Sequence, residues 1–326
     1  MKDEILRLLK TSDSYLSGQQ LCDSFQVSRT AVWKVMEQLK KEGYEIEAVR
    51  NRGYRLKMSP DVLSEAEIKS VLKTSWAGQN LVCYESTDST NNRAKEAAEK
   101  GALHGTLFAA DSQTAGKGRR GRTWVSPSGS SIYMTLLLRP DLEPSKAPML
   151  TLVMGLSVAE GIRQAAEVNA GIKWPNDIVV NRKKVCGILT EMATEIQYVN
   201  YIVIGVGINV NQQEFPEELK ESATSLGAET GKKLKRSDII AAVMENFEKN
   251  YEIFLKSGDL SGLQEAYNAI LVNYNQPVKV LEPGHEYEAV AGGINRTGEL
   301  LVHLPDGQKK EVYAGEVSVR GLYGYV

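Results

Sequence analysis

Between Gln113 and Trp124 the chain reads Gln-Thr-Ala-Gly-Lys-Gly-Arg-Arg-Gly-Arg-Thr-Trp, and residues 116–122 alone hold three glycines and four cations. Glycine loses the most backbone freedom on ordering and neighbouring like charges repel, so this stretch forms neither a stable helix nor a stable strand. It has to be a loop, mobile until a polyanion neutralises it, and it needs regular elements on both sides to fix its ends. Residues 107–110 before it and 131–138 after it are apolar enough to be strands. A nucleoside triphosphate suits the loop, because phosphates take several N–H donors and arginine forks grip them with paired bonds. A nucleic-acid-binding loop and a solvated tether are the plainer readings. The spacing is not that of a P-loop, since no G-x-x-x-x-G-K-[ST] occurs, and it is not a Rossmann turn.

The neighbouring segments add candidates. A strand at 80–84 leads to Asp88-Ser89-Thr90-Asn91-Asn92 and a helix ending at Gly101. Ser89 and Thr90 therefore stand at a helix N-terminus, where they can cap it or bind a ligand held at the same exposed amides. Residues 147–166 have the length and periodicity of a buried helix. Lys173-Trp174-Pro175-Asn176-Asp177 precedes a strand at 178–180, and a turn at 181–183 precedes another at 184–190. A lysine, an aromatic and an Asn-Asp pair fixed by proline suit a ligand site, or simple turn chemistry. Residues 198–206 are almost continuously apolar, as in a strand covered on both faces. They run into Gly205-Val206-Gly207-Ile208-Asn209-Val210-Asn211, where glycines permit close approach and Asn209 and Asn211 offer donor–acceptor pairs of the kind that read adenine. After Pro277, alternation at 278–281, 286–294, 299–304, 309–313 and 317–320, with turns at Pro283-Gly284 and Pro305-Asp306-Gly307, predicts a small β-barrel.

The first sixty residues form a module of their own. Ile5, Leu6, Leu8 and Leu9 recur at helical spacing; Ser17 is placed to cap a helix over 18–25, and Ser28 to cap another over 29–42 closed by Gly43. Two short helices so tightly joined match a helix-turn-helix, whose second helix enters the major groove. Ser28, Arg29 and Thr30 at its start suit phosphates and base edges. A strand at 44–49, turn residues Arg50-Asn51-Arg52-Gly53 and a return at 54–56 resemble the wing of a winged helix. A three-helix packing module and a protein–protein adaptor share this pattern. Over the whole chain 39 Lys+Arg against 41 Asp+Glu leave −2, so no bulk basic field advertises nucleic acid. Residues 1–58 carry eleven cations and eight acids, a local +3.

Three cysteines, Cys22, Cys83 and Cys186, are widely spaced, and with three histidines they make neither a disulfide framework nor a zinc site. The charged N-terminus is no signal peptide, and no apolar run reaches the ~18–20 residues of a membrane span. The expectation is a soluble, cytoplasmic protein with no membrane partner and no protein-held metal.

Together, GKGRRGRTW at 116–124, KWPND at 173–177, KKVCGILTE at 183–191 and GVGINVN at 205–211 resemble the biotin protein ligases, and the winged helix in front resembles the bifunctional ligase–repressors of bacteria. The resemblance covers essentially the whole chain. One departure is Lys117, where the family more often has arginine; the charge stays and the planar fork is lost. The resemblance implies an α+β multidomain chain: a winged helix-turn-helix over 1–62, an α/β catalytic domain with a mixed sheet over 63–273, and an SH3-like barrel over 274–326. It implies that biotin and ATP are substrates, with Mg²⁺ carried mainly by the phosphates. Biotin's carboxylate attacks the α-phosphate, and the biotinyl group then moves to a lysine of a biotin carboxyl carrier domain. Lys184, Arg119 and Asp177 take the catalytic roles. Ser89, Thr90, Gln113, Lys117, Trp124, Lys184 and Gly187 would hold biotin. Gly116, Lys117, Arg119, Arg122, Asn176, Asn209 and Arg320 would hold ATP. Ser28, Arg29, Thr30, Arg50 and Arg52 would meet operator DNA, bound by a homodimer that the adenylate favours. Lipoate-type ligases share the mechanism, but the glycine-basic loop with KWPND argues for biotin. A sensor that binds biotin or its adenylate without ligating is the alternative of another class.

Overall fold

The computed structural model describes residues 1–195, 198–282, 284–314, 318–321 and 325–326. The expected turn at Pro283 and the start of the last strand at Val317 lie outside these residues.

Three helices open the chain. α1 (Lys2–Thr11) buries Ile5, Leu6 and Leu9. α2 (Gly18–Phe25) starts where the Ser17 hydroxyl accepts from the Gln20 amide, and α3 (Arg29–Lys41) where Ser28 accepts from Ala31. β1 (Glu45–Val49) and β2 (Gly53–Met58) pair antiparallel as the expected hairpin. Leu16 and Tyr54 form a further bridge that pins the hairpin to the helices. Gly53 makes that contact possible: its φ is +111°, and a Cβ there would lie 2.0 Å from the Leu16 carbonyl oxygen. Leu21, Val32, Met36 and Leu39 fill the small core between the helices.

The central region holds α4 (Glu65–Val71), β3 (Leu81–Thr87), α5 (Thr90–Glu99), β4 (Leu107–Gln113), β5 (Ser131–Leu138), α6 (Met149–Ala166), β6 (Gly171–Lys173), β7 (Asp177–Val180), β8 (Lys183–Thr194) and β9 (Val199–Asn209). Its sheet runs β3-β4-β5-β9-β8-β7-β6, with β3 and β4 parallel and the other pairs antiparallel, so it is mixed as expected. Alternation decides its faces. Even positions of β5 and β9, such as Ile132, Met134, Ile204 and Val206, pack into the main core with α6 and a helix absent from the sequence reading. The segment 212–276, whose sequence carries no assigned element above, holds α7 (Leu226–Thr230), that helix, α8 (Arg236–Ser257), and α9 (Gln264–Ala269). Odd positions face the other way, where Leu137 and Val203 meet Ala94 and Ala98 of α5. Each fully buried aliphatic side chain contributes about 1.5–3 kcal/mol, so both layers hold the sheet as a firm platform. Its remaining odd positions, at the other end of that face, are left for chemistry.

β10 (Pro277–Glu282), β11 (His285–Ile294), β12 (Leu300–His303), β13 (Lys309–Val312) and β14 (Ser318–Gly321) form an antiparallel sheet ordered β13-β12-β11-β10-β14. Trp174, buried, donates from Nε1 to the Gly298 carbonyl at 3.0 Å and ties this sheet to the central one. Among the described residues no helix is long and apolar enough to cross a membrane.

Glu67 of α4 is the junction between the N-terminal helices and the rest. Its buried carboxylate receives Lys10 Nζ at 2.6 Å, the Ser237 hydroxyl at 3.0 Å and the Tyr44 phenol. Burial pulls the Lys10 ammonium below its ordinary range even though Glu67 opposes the shift. Glu67→Ala should therefore strand a buried cation and cost on the order of 3–5 kcal/mol. The expected outcome is a lower unfolding midpoint and faster limited proteolysis between residues 58 and 65; an unchanged midpoint would remove Glu67 from the junction.

Candidate functional site

One row across the central sheet builds the site. Lys173 pairs with Asp177, Asp177 with Gly187, Gly187 with Gly207, and Gly207 with Tyr133, so all five face the same side. The two adjacent glycines open a trough, and the Trp124 indole lies in it. A Cβ on Gly187 would come within 2.9 Å of that ring, and one on Gly207 within 2.6 Å. Lys184 stands three residues from Gly187 and would face away in a regular strand. A register shift where β8 passes β7 turns it to the trough side, with Nζ 3.1 Å from the Gly187 Cβ position.

The glycine-basic segment closes over this row. Trp124 N donates to Gly116 O at 2.9 Å and Gly118 N to Arg122 O at 2.7 Å, around a single 3-10 turn at Arg119–Gly121. Gly116 sits beneath the loop, where a Cβ would meet Trp124 O at 2.4 Å. The loop's cations are spread among different partners. Lys117 Nζ donates to Asn92 Oδ1 at 2.9 Å. Arg119 reaches Asn176 Oδ1 at 2.8 Å and Ala314 O at 2.5 Å, so it joins the loop, the KWPND segment and the C-terminal region.

At one end of the trough the groups are polar and buried. Ser89, Thr90 and Asn91 are 3–4% exposed. Ser89 holds the N-cap position of α5 but its side chain makes no capping bond, so the capping reading of the hydroxyl is corrected. The Thr90 amide donates to Gln113 Oε1 at 2.8 Å, and Gln113 Nε2 to Ser126 Oγ at 3.1 Å. A pocket of about 60 Å³ remains here, bordered by Ser89, Thr90, Gln113, Lys117, Trp124 and Gly187. Small-molecule sites are typically ~300–1,000 Å³. The Trp124 ring, which lies in the trough, takes up the space beside it.

At the other end the groups are charged. Asp177 is paired with Lys184 at 2.5 Å and receives the Tyr325 phenol. Lys173 is buried with Nζ 3.4 Å from the centre of the Tyr325 ring. Burial pushes its ammonium down to about 8; Asp177 opposes the shift, and Lys184, Arg320 and Arg122 reinforce it. Burial also lowers Arg119, again against Asp177 and with Arg120 and Arg122 adding to it. These groups and Asn209 border a cavity of about 540 Å³. Both asparagines are pinned: Asn176 Nδ2 donates to Ile188 O and Asn209 Nδ2 to Thr224 O, each at 3.1 Å. Among the described residues no three His, Cys, Asp or Glu side chains converge as a metal site.

The expected ligand-site residues thus gather around two adjoining cavities, with Gly116 behind the loop. Ser28, Arg29, Thr30, Arg50 and Arg52 stand apart, on the exposed start of α3 and the tip of the β1–β2 hairpin. Arg29 there donates to Gln19 Oε1 at 2.9 Å. Three further groups at the central site are not among the expected ligand residues. Lys173 is signalled by its place opposite Asp177 in a short hairpin, and Asn91 by its place beside Thr90. Tyr325 carries no local signal. On α3, Trp33 is 54% exposed and was likewise unassigned.

The biotin/lipoate A/B protein ligase family matches residues 83–209, an HTH domain residues 2–55, and the biotin protein ligase C-terminal domain residues 274–320. The bifunctional ligase/repressor BirA of Bacillus subtilis is 43% identical over 322 residues, covering 98% of each chain. That of Escherichia coli is 31% identical over 327 residues, covering 98% of this chain and 99% of its own. A biotin protein ligase from Aquifex aeolicus, in complex with biotin and ATP, superposes with a TM-score of 0.66 at 33% identity, over 74% of this chain and 99% of its own.

The trough makes a direct prediction. Gly207→Ala should push the Trp124 ring off the sheet, giving a red-shifted tryptophan emission that is lost in a Trp124→Phe background. An unshifted spectrum would mean the ring does not rest on Gly207.

Proposed function

The chain belongs to the family of biotin protein ligases, and from that premise we propose that its two cavities hold the two substrates of one reaction, biotin in the trough and ATP in the charged cavity. It forms biotinyl-5′-AMP from biotin and ATP, transfers the biotinyl group to a lysine of a biotin carboxyl carrier domain, and acts as a biotin-responsive repressor. The observation that carries the reading of the site is the junction of the glycine trough with a cavity ringed by Lys173, Lys184, Arg119, Arg122 and Arg320.

Two anions have to meet for the first half-reaction. A carboxylate and an α-phosphate oxygen at ~4 Å repel by roughly 4 kcal/mol per pair of unit charges at an effective dielectric near 20. Lys184 lies where the trough enters the charged cavity, and it bridges the two anions. Arg119 and Arg122 bring further cations from the loop, and Lys173 adds one that burial has already loosened from part of its hydration. Polyphosphate beside Lys173 favours its charged form. Ser89, Thr90, Gln113 and the Lys117 backbone bond the ureido ring, Gly187 gives it room, and Trp124 swings out and closes over it. Asn176 and Asn209 read the adenine, and Arg320 reaches the nucleotide from β14. Gly116 serves the nucleotide through the loop it lets fold. Mg²⁺ would ride on the phosphates, supplying charge neutralisation there.

In the second half-reaction the acceptor is a lysine amine, mostly protonated and inert at pH 7 because its ordinary pKa is ~10.4. Asp177 orients that amine and takes its proton once Lys184 has turned to the anions. The five C-terminal strands are read as an SH3-like barrel, in a chain divided at about residues 62 and 273. Operator DNA is met by Ser28, Arg29 and Thr30 in the major groove, with Arg50 and Arg52 of the wing on the flanking backbone. The adenylate favours a homodimer that places two such units on a palindromic operator.

The intact mass of a biotin carboxyl carrier domain, incubated with the protein, biotin, ATP and Mg²⁺, tests the ligase directly. One added biotinyl group is expected; an unmodified carrier would leave a biotin-responsive DNA binder. In a separate measurement of pyrophosphate release, Lys184→Ala should lose at least ten-fold, and normal release would remove Lys184 from the first step. For the repressor, operator affinity and dimer mass by sedimentation should both rise with biotin plus ATP. No change in either would sink the dimer reading.

A further inference from the structure

The last residues of the chain reach the reacting groups. Val326 O accepts from Arg182 Nη2 at 2.8 Å, and a Cβ on Gly321 would lie 2.3 Å from the Val326 carbonyl carbon, so the tail is held against β14 and the β7–β8 turn. This holds the Tyr325 side chain in the charged cavity, where its phenol donates to Asp177 Oδ2 and its ring lies 3.4 Å beneath Lys173 Nζ. Asp177 Oδ1 is paired with Lys184 Nζ at 2.5 Å. Both carboxylate oxygens are therefore engaged, one by a cation and one by a neutral hydroxyl.

These two partners behave differently when an anion arrives. A lysine is a mobile point charge that follows the strongest anion in reach. A neutral phenol has much less to gain from the newcomer, so it stays on the carboxylate. We propose that Tyr325 is a positioning residue for the transfer step: it holds Asp177 through Oδ2, so that Oδ1 faces the cavity after Lys184 has left it. This rests on the reading of Asp177 as the group that receives the acceptor amine. A base oriented by a third side chain is a recurring arrangement in group transfer. The acceptor ammonium gives one proton to Asp177. The N–C bond forms as the carbonyl–phosphate C–O bond breaks, AMP leaves with that electron pair, and the second proton passes from nitrogen to solvent.

Tyr325→Phe keeps the ring under Lys173 and removes only the hydroxyl. Pyrophosphate release on adenylate formation should fall less than two-fold. Single-turnover transfer from preformed, bound biotinyl-5′-AMP should slow about ten-fold at saturating carrier domain, with the half-saturating carrier concentration unchanged. A transfer rate within two-fold of the parent overturns the proposal, and so does an equal loss of both half-reactions, which is what simple loosening of the fold would produce. Asp177→Asn run in parallel separates the two readings. If it transfers normally, the Asp177 reading fails and takes the Tyr325 proposal with it. If it is slow while Tyr325→Phe is not, only the Tyr325 proposal fails. The double variant should be no slower than Asp177→Asn alone, and an additive loss counts against a shared role.

Discussion

Gly187 and Gly207 face each other across β8 and β9, and everything else at the site is arranged around the absence of their side chains. A pair of ordinary residues in that register would put two Cβ atoms into the Trp124 ring, at 2.9 and 2.6 Å. The glycines weaken the sheet locally, since they cost backbone entropy and bury nothing. The loss is offset on the opposite face, where their neighbours Ile188, Val206 and Ile208 are nearly or fully buried against α6 and α8. Strand alternation thus puts the strongest packing directly behind the weakest. A rigid sheet with an empty row is what permits a flexible, cation-rich loop to fold down without a regular structure of its own.

The same row sorts charge along its length. Lys173 and Asp177 come from a hairpin so short that the pair falls at the sheet's edge, and the register shift in β8 adds Lys184 beside them. Asp177 is the acidic group that opposes the lowered pKa of both Lys173 and Arg119. The cluster holds more cations than its local acid can balance, which is the electrostatic character expected of a site built to bring anions together. Behind the sheet, the buried Arg236 pairs with Asp61 at 3.1 Å and with Asp111 at 2.7 Å, while Asn211, just past β9, donates to Asp61. Asp61 lies in the connection to the N-terminal helices, so the strand that ends at Asn209 and that connection share one polar network. Breaking a buried pair of this kind is costly, so the network anchors the connection to the end of β9.

Much of this was legible in the sequence because it rests on local chemistry. The three helices and hairpin of the N-terminal region follow from Ser17, Ser28 and turn residues 50–53, and their ends lie within a residue or two of the expected positions. The glycine-basic loop was legible because no regular element tolerates its composition. What escaped depends on contacts between distant segments. Glu67 reads as an ordinary first-turn helix acid, yet it is buried by Lys10, Tyr44 and Ser237. At Ser89 the sequence allows both a cap and a ligand group, and only the fold shows the hydroxyl uncapped beside the pocket. Lys184 and Gly187 would be placed on opposite faces by simple alternation, and only the register shift reunites them.

The Lys184–Asp177 pair joins these levels. In an enclosed site an ion pair is held by mutual attraction against the loss of hydration, and removing one partner leaves the other strongly unfavourable. In the proposed reaction Lys184 trades Asp177 for the biotin carboxylate and the α-phosphate, so its own charge stays compensated throughout. Asp177 is the group left in deficit, at the moment when an ammonium from the carrier is the cation best able to replace the one it lost. On the proposed reading the exchange orders the two half-reactions, because Asp177 becomes open to the acceptor only after an anion has drawn Lys184 away. The proposed sequence requires the carboxylate to stay where it is while its cation changes, and the strand pairing of β7 and the phenol of Tyr325 both hold it there.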